Sequence, residues 1–284
     1  MVGKLQSVMV CSPRTAGWDN PARLARWKEL GFLHAPDFAV AQSQHEQLCR
    51  ILEEAGAKVI PMAASSSLTL DAVYAHDASL PTDFGVILMN PGKANRLSEA
   101  TGQREFLAAR GIRILNPVTG PGNSEAGDIV WLGPRTLLVG HGYRTNPAGI
   151  AQIRDLLKPH GVEVLTAPLP YGPGPSACLH LMSLISLLDE NTALVDLPWL
   201  AVETVELLKS RAYRCIEIEY SERDSLACNV LSLGEKRLVA IETNTKTNAR
   251  LRSAGFEVFP FPGSEICING SGGPTCLTRP LLRG

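Results

Sequence analysis

The chain has 284 residues, 45% of them hydrophobic, with 27 basic side chains against 28 acidic ones and a formal charge of -1. That length and apolar content can bury a large core, while the near-zero charge gives no electrostatic ground for binding nucleic acid or an anionic membrane surface. A small molecule is therefore the expected partner. The segment from Met1 to Cys11 lacks the longer apolar core and small-residue cleavage site of an export signal, and no apolar run approaches membrane-spanning length, so a cytoplasmic location is expected.

In chain order, short apolar runs rich in β-formers predict strands at 7–11, 57–61, 85–89, 113–115, 129–132, 136–140, 163–166, 192–196, 214–219, 229–233, 237–241 and 257–260. Amphipathic stretches between them predict helices at 38–54, 99–109, 147–157, 202–211 and 246–254. The clearest piece is the hairpin at 128–141, two apolar runs about the turn-forming Gly133-Pro134, followed by a helix opening near Pro147 and then a strand. A comparable strand, strand, helix, strand order recurs at 85–115 and 227–260. One such unit cannot cover its own apolar faces, so several stacked units are expected. No Ser/Gly linker or charge run divides the chain, and a single α/β domain over 1–284 is expected.

The seven cysteines, Cys11, Cys49, Cys178, Cys215, Cys228, Cys267 and Cys276, are odd in number and widely spread, which reads as free thiols rather than a disulfide framework. None belongs to a Cys-x-x-Cys pair and no His-x-x-x-His spacing accompanies them, so no metal site is expected. No Gly-x-Gly-x-x-Gly follows a strand and opens a helix, so no nucleotide cofactor is expected either. Cys228 lies in an apolar run and reads as core; Cys267 sits on the loop before Cys276, where an exposed, redox-active thiol is the alternative to burial.

Cys276 is singled out by its approach, Asn269-Gly-Ser-Gly-Gly-Pro-Thr-Cys276, because glycines let backbone N–H groups form an anion cradle beside a thiolate. A cysteine nucleophile needs a lowered pKa or an adjacent base, normally a histidine oriented by a carboxylate. His180, in Ala177-Cys-Leu-His180-Leu-Met-Ser183, taken alone reads as a satisfied core histidine. The acids of Asp71-Ala-Val-Tyr-Ala-His76-Asp77, placed around a short apolar strand, and of Ser124-Glu125-Ala-Gly-Asp128 read singly as turn chemistry.

Together these segments carry more. Asp71 to Asp77, Pro91-Gly-Lys-Ala-Asn-Arg96-Leu-Ser-Glu99, Glu125-Ala-Gly-Asp128, His141-Gly-Tyr-Arg144-Thr-Asn146, Leu179-His-Leu181 and Gly273-Pro-Thr-Cys276 resemble, in order and roughly in spacing, the guanidine-modifying enzymes, or penteins. That superfamily includes dimethylarginine dimethylaminohydrolase, arginine deiminase and the amidinotransferases, and the resemblance is closest to the first. The matching pieces run from about residue 71 to the C-terminal segment.

The resemblance implies a five-bladed α/β propeller of ββαβ repeats with pseudo-fivefold symmetry, and a hydrolase that releases an amine and citrulline through a covalent thiouronium. It implies Cys276 as nucleophile, His180 as general acid and base, Glu125 as the group orienting His180, and Asp77 as the anion gripping the guanidinium. Arg144 and Arg96 would hold the substrate's α-carboxylate, and Asp71 and Asp128 would support the substrate or its surrounding loops. Two positions depart from the pattern. His76 stands where dimethylarginine dimethylaminohydrolase has an acid, and Met182 stands where arginine deiminases and dihydrolases have a second guanidine-binding aspartate. Both point to a substrate less cationic than arginine, or to altered nitrogen substituents. Arginine deiminase, dihydrolase and amidinotransferase chemistry are the enzymatic alternatives. A propeller that only binds a partner is the non-enzymatic one, against which stands the complete cysteine, histidine and acid set. A homodimer is the default assembly.

Overall fold

The computed structural model describes residues 1–177 and 179–284; the expectation of a free thiol at Cys178 lies outside the described residues. The strands form five small sheets whose arrangement repeats. Strand β1 (Leu5–Val10), a short helix α1 (Pro21–Leu24), helix α2 (Phe38–Glu54) and β2 (Lys58–Pro61) come first. Then follow β3 (Ser79–Thr82), β4 (Gly85–Leu88) and α3 (Glu99–Ala108), and after them β5 (Ile129–Gly133), β6 (Thr136–His141), α4 (Pro147–Leu157) and β7 (Glu163–Pro168). Next are β8 (Ile185–Leu187), β9 (Thr192–Val195), α5 (Val202–Ser210) and β10 (Arg214–Glu217), then β11 (Leu231–Gly234), β12 (Arg237–Ile241), α6 (Thr245–Ser253) and β13 (Glu257–Phe261), and last β14 (Thr278–Arg283).

In three sheets an antiparallel hairpin is followed by a helix and a strand parallel to the hairpin's second member: β5-β6-β7, β8-β9-β10 and β11-β12-β13. The β3-β4 hairpin has the same plan, but its third member is reduced to a single parallel bridge, Val86 to Ile114. The strand expected at 113–115 is thus a bridge only. In the remaining sheet β14 supplies the antiparallel partner of β1, pairing Val10 with Thr278 and Leu5 with Arg283, while β2 runs parallel to β1.

The helices start where the sequence provides acceptors for orphan N–H groups. Asp37 accepts the N–H of Val40 at 3.0 Å to open α2, and Asn146 accepts that of Gly149 at 2.9 Å, with Pro147 at the first helical position of α4. Strands such as β9, Thr-Ala-Leu-Val, are buried along their whole length, which is why they read as unbroken apolar runs. Each buried Leu or Val contributes about 1.5–3 kcal/mol of transfer free energy.

Three strands were not expected from the sequence. β3 contains Pro81, β14 contains Arg279 and Pro280, and β8 is three residues inside the longer apolar run from Leu181 to Leu188. The segment after Thr69, read as a short strand, is instead a 3-10 turn, Leu70–Val73, which the Thr69 hydroxyl caps by accepting the Asp71 N–H at 3.2 Å. The two loop classes that matter below recur in the same place in successive units. One precedes the first strand of each hairpin, and the other joins the second strand to the helix.

Candidate active site

Asp77, Glu125 and His180 stand just ahead of a hairpin's first strand, before β3, β5 and β8, and Cys276 stands in the equivalent place before β14, the antiparallel partner of β1, whereas Arg96 and Arg144 lie on the loops leading to α3 and α4. The fold therefore brings together residues that are up to about two hundred positions apart.

Glu125 is fully buried, and its carboxylate is the hub. Its Oε2 meets His180 Nε2 at 2.7 Å and accepts from Arg144 Nη1 at 3.0 Å, while Oε1 accepts the Lys93 backbone N–H at 3.1 Å. Burial opposes the charge, but the His180 hydrogen bond and the cations His180, Arg144 and Arg96 outweigh it and hold Glu125 below the usual carboxylate range. With Nε2 on the carboxylate, the other ring nitrogen, Nδ1, lies over Gly127. A Cβ at Gly127 would stand 2.6 Å from His180 Nδ1 and 2.8 Å from Asp77 Oδ1, so the glycine of the Glu-x-Gly-Asp segment is what permits this approach.

Asp77 is likewise buried. Its Oδ2 accepts from Arg96 Nη1 at 2.6 Å, and its Oδ1 accepts the Gly127 N–H at 3.1 Å. Burial pushes its pKa up, but Arg96 and His180 pull harder and hold it down. Asp77, Glu125 and His180 present donor atoms within 4.8 Å of one another, a spacing that could hold a metal ion, although each carboxylate there already carries an arginine partner.

Cys276 is half-buried, at the end of the glycine-rich approach. Its Sγ accepts from Asn229 Nδ2 at 3.1 Å, and the same amide's Oδ1 accepts the Thr275 N–H at 3.1 Å. The Cys276 carbonyl accepts the His76 N–H at 3.1 Å, which ties the cysteine segment to the residue next to Asp77. The expected anion cradle takes a different form. The Ser271 and Gly272 N–H groups are used inside their own turn, on Ile268 and Cys267 carbonyls, and the absence of a side chain at Gly273 instead admits Asn229, whose Cγ would lie 2.5 Å from a Cβ there.

The other expected residues fall as follows. Arg96 is 4% exposed, with Nε and Nη2 on Glu99 at 2.9 and 2.7 Å and Nη2 also on the Tyr74 carbonyl at 3.0 Å. Expected on a substrate carboxylate, it is turned inward by Asp77 and Glu99, two buried acids that need a cation; Arg144 is turned in the same way toward Glu125. Asp71 pairs with Lys93 Nζ. Asp128 Oδ1 accepts the Leu181 N–H at 2.9 Å and so fixes the backbone beside His180; burial raises its pKa to about 6. His76 Nδ1 donates to the Thr278 carbonyl at 2.9 Å, and burial lowers its pKa to about 3, so at neutral pH it adds no charge beside Asp77. Met182 is buried among apolar neighbours. Cys267 is fully buried, which removes the exposed, redox-active alternative. Cys228 is core, as its apolar run indicates.

Sequence reasoning missed Asn229, Lys93 and Glu99 as members of the site. Only Asn229 carried a signal, an amide inside the apolar run Leu-Ala-Cys-Asn-Val-Leu.

The site thus gathers a buried histidine and carboxylate, a cysteine held by an amide, and arginine-neutralised acids on the repeated units of an α/β fold. The arginine deiminase family model matches residues 198–283. The dimethylarginine dimethylaminohydrolase of Streptomyces coelicolor is 29% identical over 73% of this chain and 73% of its own length. Among solved structures, a Pseudomonas aeruginosa dimethylarginine dimethylaminohydrolase complexed with citrulline superposes with a TM-score of 0.77 at 24% identity, covering 99% of this chain and all of that one. The N-terminal domain of ArgZ, a cyanobacterial arginine dihydrolase bound to product, superposes with a TM-score of 0.82 at 21% identity, covering 99% of this chain and 98% of that one. The chain is thus similar to guanidine-modifying, or pentein, enzymes, over its last third by the family model and over most of its length by relatives and by fold. Among the described residues no helix is long and apolar enough to cross a membrane.

Proposed function

We propose that the chain is a cysteine-dependent hydrolase of a small guanidino substrate, of the dimethylarginine dimethylaminohydrolase type, and that its five sheets are the blades of one five-bladed catalytic propeller. The observation that carries the reading is the buried His180–Glu125 pair at 2.7 Å beside Asp77, with Cys276 tied to the same group through His76.

In this reading the Cys276 thiolate, supported by the Asn229 N–H, adds to the guanidinium carbon and forms a C–S bond. His180, through Nδ1, gives a proton to the departing amine as its C–N bond breaks, leaving a thiouronium on the cysteine. The same nitrogen then takes a proton from water, whose oxygen attacks that carbon. The added hydroxyl then loses its proton to solvent as the C–S bond breaks, and the ureido product leaves with the thiolate and the protonated His180 restored. Glu125 keeps His180 oriented and favours its cationic form. Asp77 receives the substrate cation, which exchanges for the Arg96 Nη1 contact now on Oδ2. Arg144 and the released Arg96 are the groups suited to a substrate carboxylate. Because His76 is neutral and Met182 apolar, Asp77 is the main anion offered, which favours weakly cationic or substituted guanidines over plain arginine.

Cys276→Ser should abolish turnover while the far-ultraviolet circular dichroism and unfolding temperature stay unchanged; turnover at the parent rate refutes the mechanism. A panel of arginine, mono- and dimethylarginine, hydroxyarginine and agmatine, assayed separately for amine, ammonia, citrulline and ornithine, assigns the reaction. Glycine or lysine as acceptor tests amidinotransfer.

A further inference from the structure

Asp71, on the turn that leads to Asp77, is buried, and its Oδ2 holds the ammonium of Lys93, whose other contact is the Leu30 carbonyl. The lysine is fixed from its backbone as well, since its N–H donates to Glu125 Oε1 at 3.1 Å. Its side chain is 22% exposed, against 4% for that of Asp71. The neighbouring acids are also engaged. Glu99 holds Arg96, Glu125 holds His180 and Arg144, and Glu29, next to Leu30, holds Arg26 at 2.7 Å. Asp128 keeps one oxygen without a hydrogen-bond partner among the described residues, but that carboxylate is fully enclosed.

Arg96 links the Asp71–Lys93 pair to the acid proposed to take the guanidinium. Its Nη1 is on Asp77 Oδ2, and its Nε lies 3.9 Å from Asp71 Oδ2. In the reading proposed above, the substrate's guanidinium goes to Asp77 and its carboxylate to Arg144 and the released Arg96. An α-ammonium is one carbon away from that carboxylate, so it would come to rest beside Asp71 and meet the lysine already there. Two ammonium groups at one carboxylate repel each other, and driving Lys93 off would leave a mostly buried cation without its acid. A substrate carboxylate, by contrast, gains Lys93 as a further cation in its neighbourhood.

We propose that the substrate of this site is a guanidino carboxylic acid without an α-ammonium group, because Lys93 supplies the ammonium that Asp71 accepts. The proposal rests on the hydrolase reading and narrows its substrate class, leaving the steps at Cys276 as they are. Guanidino acids on a simple alkyl chain fit the site. Arginine and its methylated forms bring an ammonium that has no acid to meet, and agmatine brings the same ammonium without the carboxylate.

Arginine and 5-guanidinopentanoate differ only in the α-ammonium. In the Cys276→Ser protein, which leaves both compounds intact, titration calorimetry should give 5-guanidinopentanoate a Kd at least about tenfold lower than that of arginine, the effect of one lost charged hydrogen bond. Lys93→Met in the same background vacates Asp71 and should shift the ratio at least about tenfold toward arginine. A starting ratio that favours arginine, or one that Lys93→Met leaves unchanged, overturns the proposal while the hydrolase reading stands. If neither compound binds, the hydrolase reading fails and takes the proposal with it. Should Lys93→Met not fold, Asp71→Asn decides: an equal effect on both compounds supports the proposal, and weakened binding of arginine alone shows Asp71 serving a substrate ammonium and refutes it.

Discussion

Asn229 holds two neighbours at once, donating to the Cys276 sulfur and accepting from the Thr275 N–H. A hydrogen bond to a charged group contributes about 1.5–3 kcal/mol, so Asn229→Ala should slow alkylation of Cys276 by iodoacetamide at neutral pH about tenfold or more. An unchanged rate would remove Asn229 from the nucleophile's support. Glu125→Gln keeps the shape but loses the charge facing His180 and Arg144; kcat should fall at least about a hundredfold, in line with the loss of an orienting carboxylate, as steady-state assays on the best substrate of the panel can show. His76 makes a prediction about pH. Its folded pKa of about 3 lies below the ordinary histidine value of 6.5, so its stabilising contribution is complete above pH 6.5 and is lost as pH falls toward 3. Between those limits the unfolded chain binds one more proton, a slope of about 1.4 kcal/mol per pH unit. His76→Asn, which retains a donor for the Thr278 carbonyl, should flatten the pH dependence of urea-unfolding free energy by that slope. His45, lowered to about 4 by burial, will keep a similar slope in the variant.

The site is assembled from elements whose chemistry sits in one recurring place, the loop ahead of each hairpin. That recurrence explains what was legible in the sequence. Helices α2 and α4 announced themselves by periodicity, α4 also by Pro147 at its start, and the β5-β6 hairpin by Gly133-Pro134. Cys276, His180, Glu125 and Asp77 were found as a set because their segments keep the family order. Lys93 and Glu99 were not, since each is defined by a partner from a distant segment, and an isolated Lys or Glu carries no local sign of burial. The inward turn of Arg96 was illegible for the same reason. Strands β3, β8 and β14 were missed because Pro81, Pro280 and the long apolar run around Ile185 obscure a period of two. Gly127, by contrast, has a role that substitution can expose. Gly127→Ala places a methyl against His180 Nδ1 and Asp77 Oδ1 together. The displacement should destabilise the fold by about 1–3 kcal/mol and lower kcat more than tenfold, measured by denaturant titration and initial rates.

On the scale of the molecule, the first sheet is made from both ends of the chain, and the Gly284 N–H donates to the Lys4 carbonyl at 2.8 Å. Joining residue 284 to residue 1 through a short linker and opening the chain at the exposed turn Gly161 should therefore give a folded permutant with the parent's circular dichroism. A permutant that remains unfolded would show that the β1–β14 pairing needs free ends.

That pairing also sets an order of events. Cys276 lies two residues before β14, and β14 finds its place only by meeting β1, the most distant partner the chain offers, a contact that closes late because its loop is longest. The inner sheets can form without it, each from neighbouring sequence. In the reading proposed above, a chain in which β14 has not yet met β1 would hold His180, Glu125 and Asp77 while the Cys276 thiol is still elsewhere, so the proposed reactivity would wait for that one strand pairing.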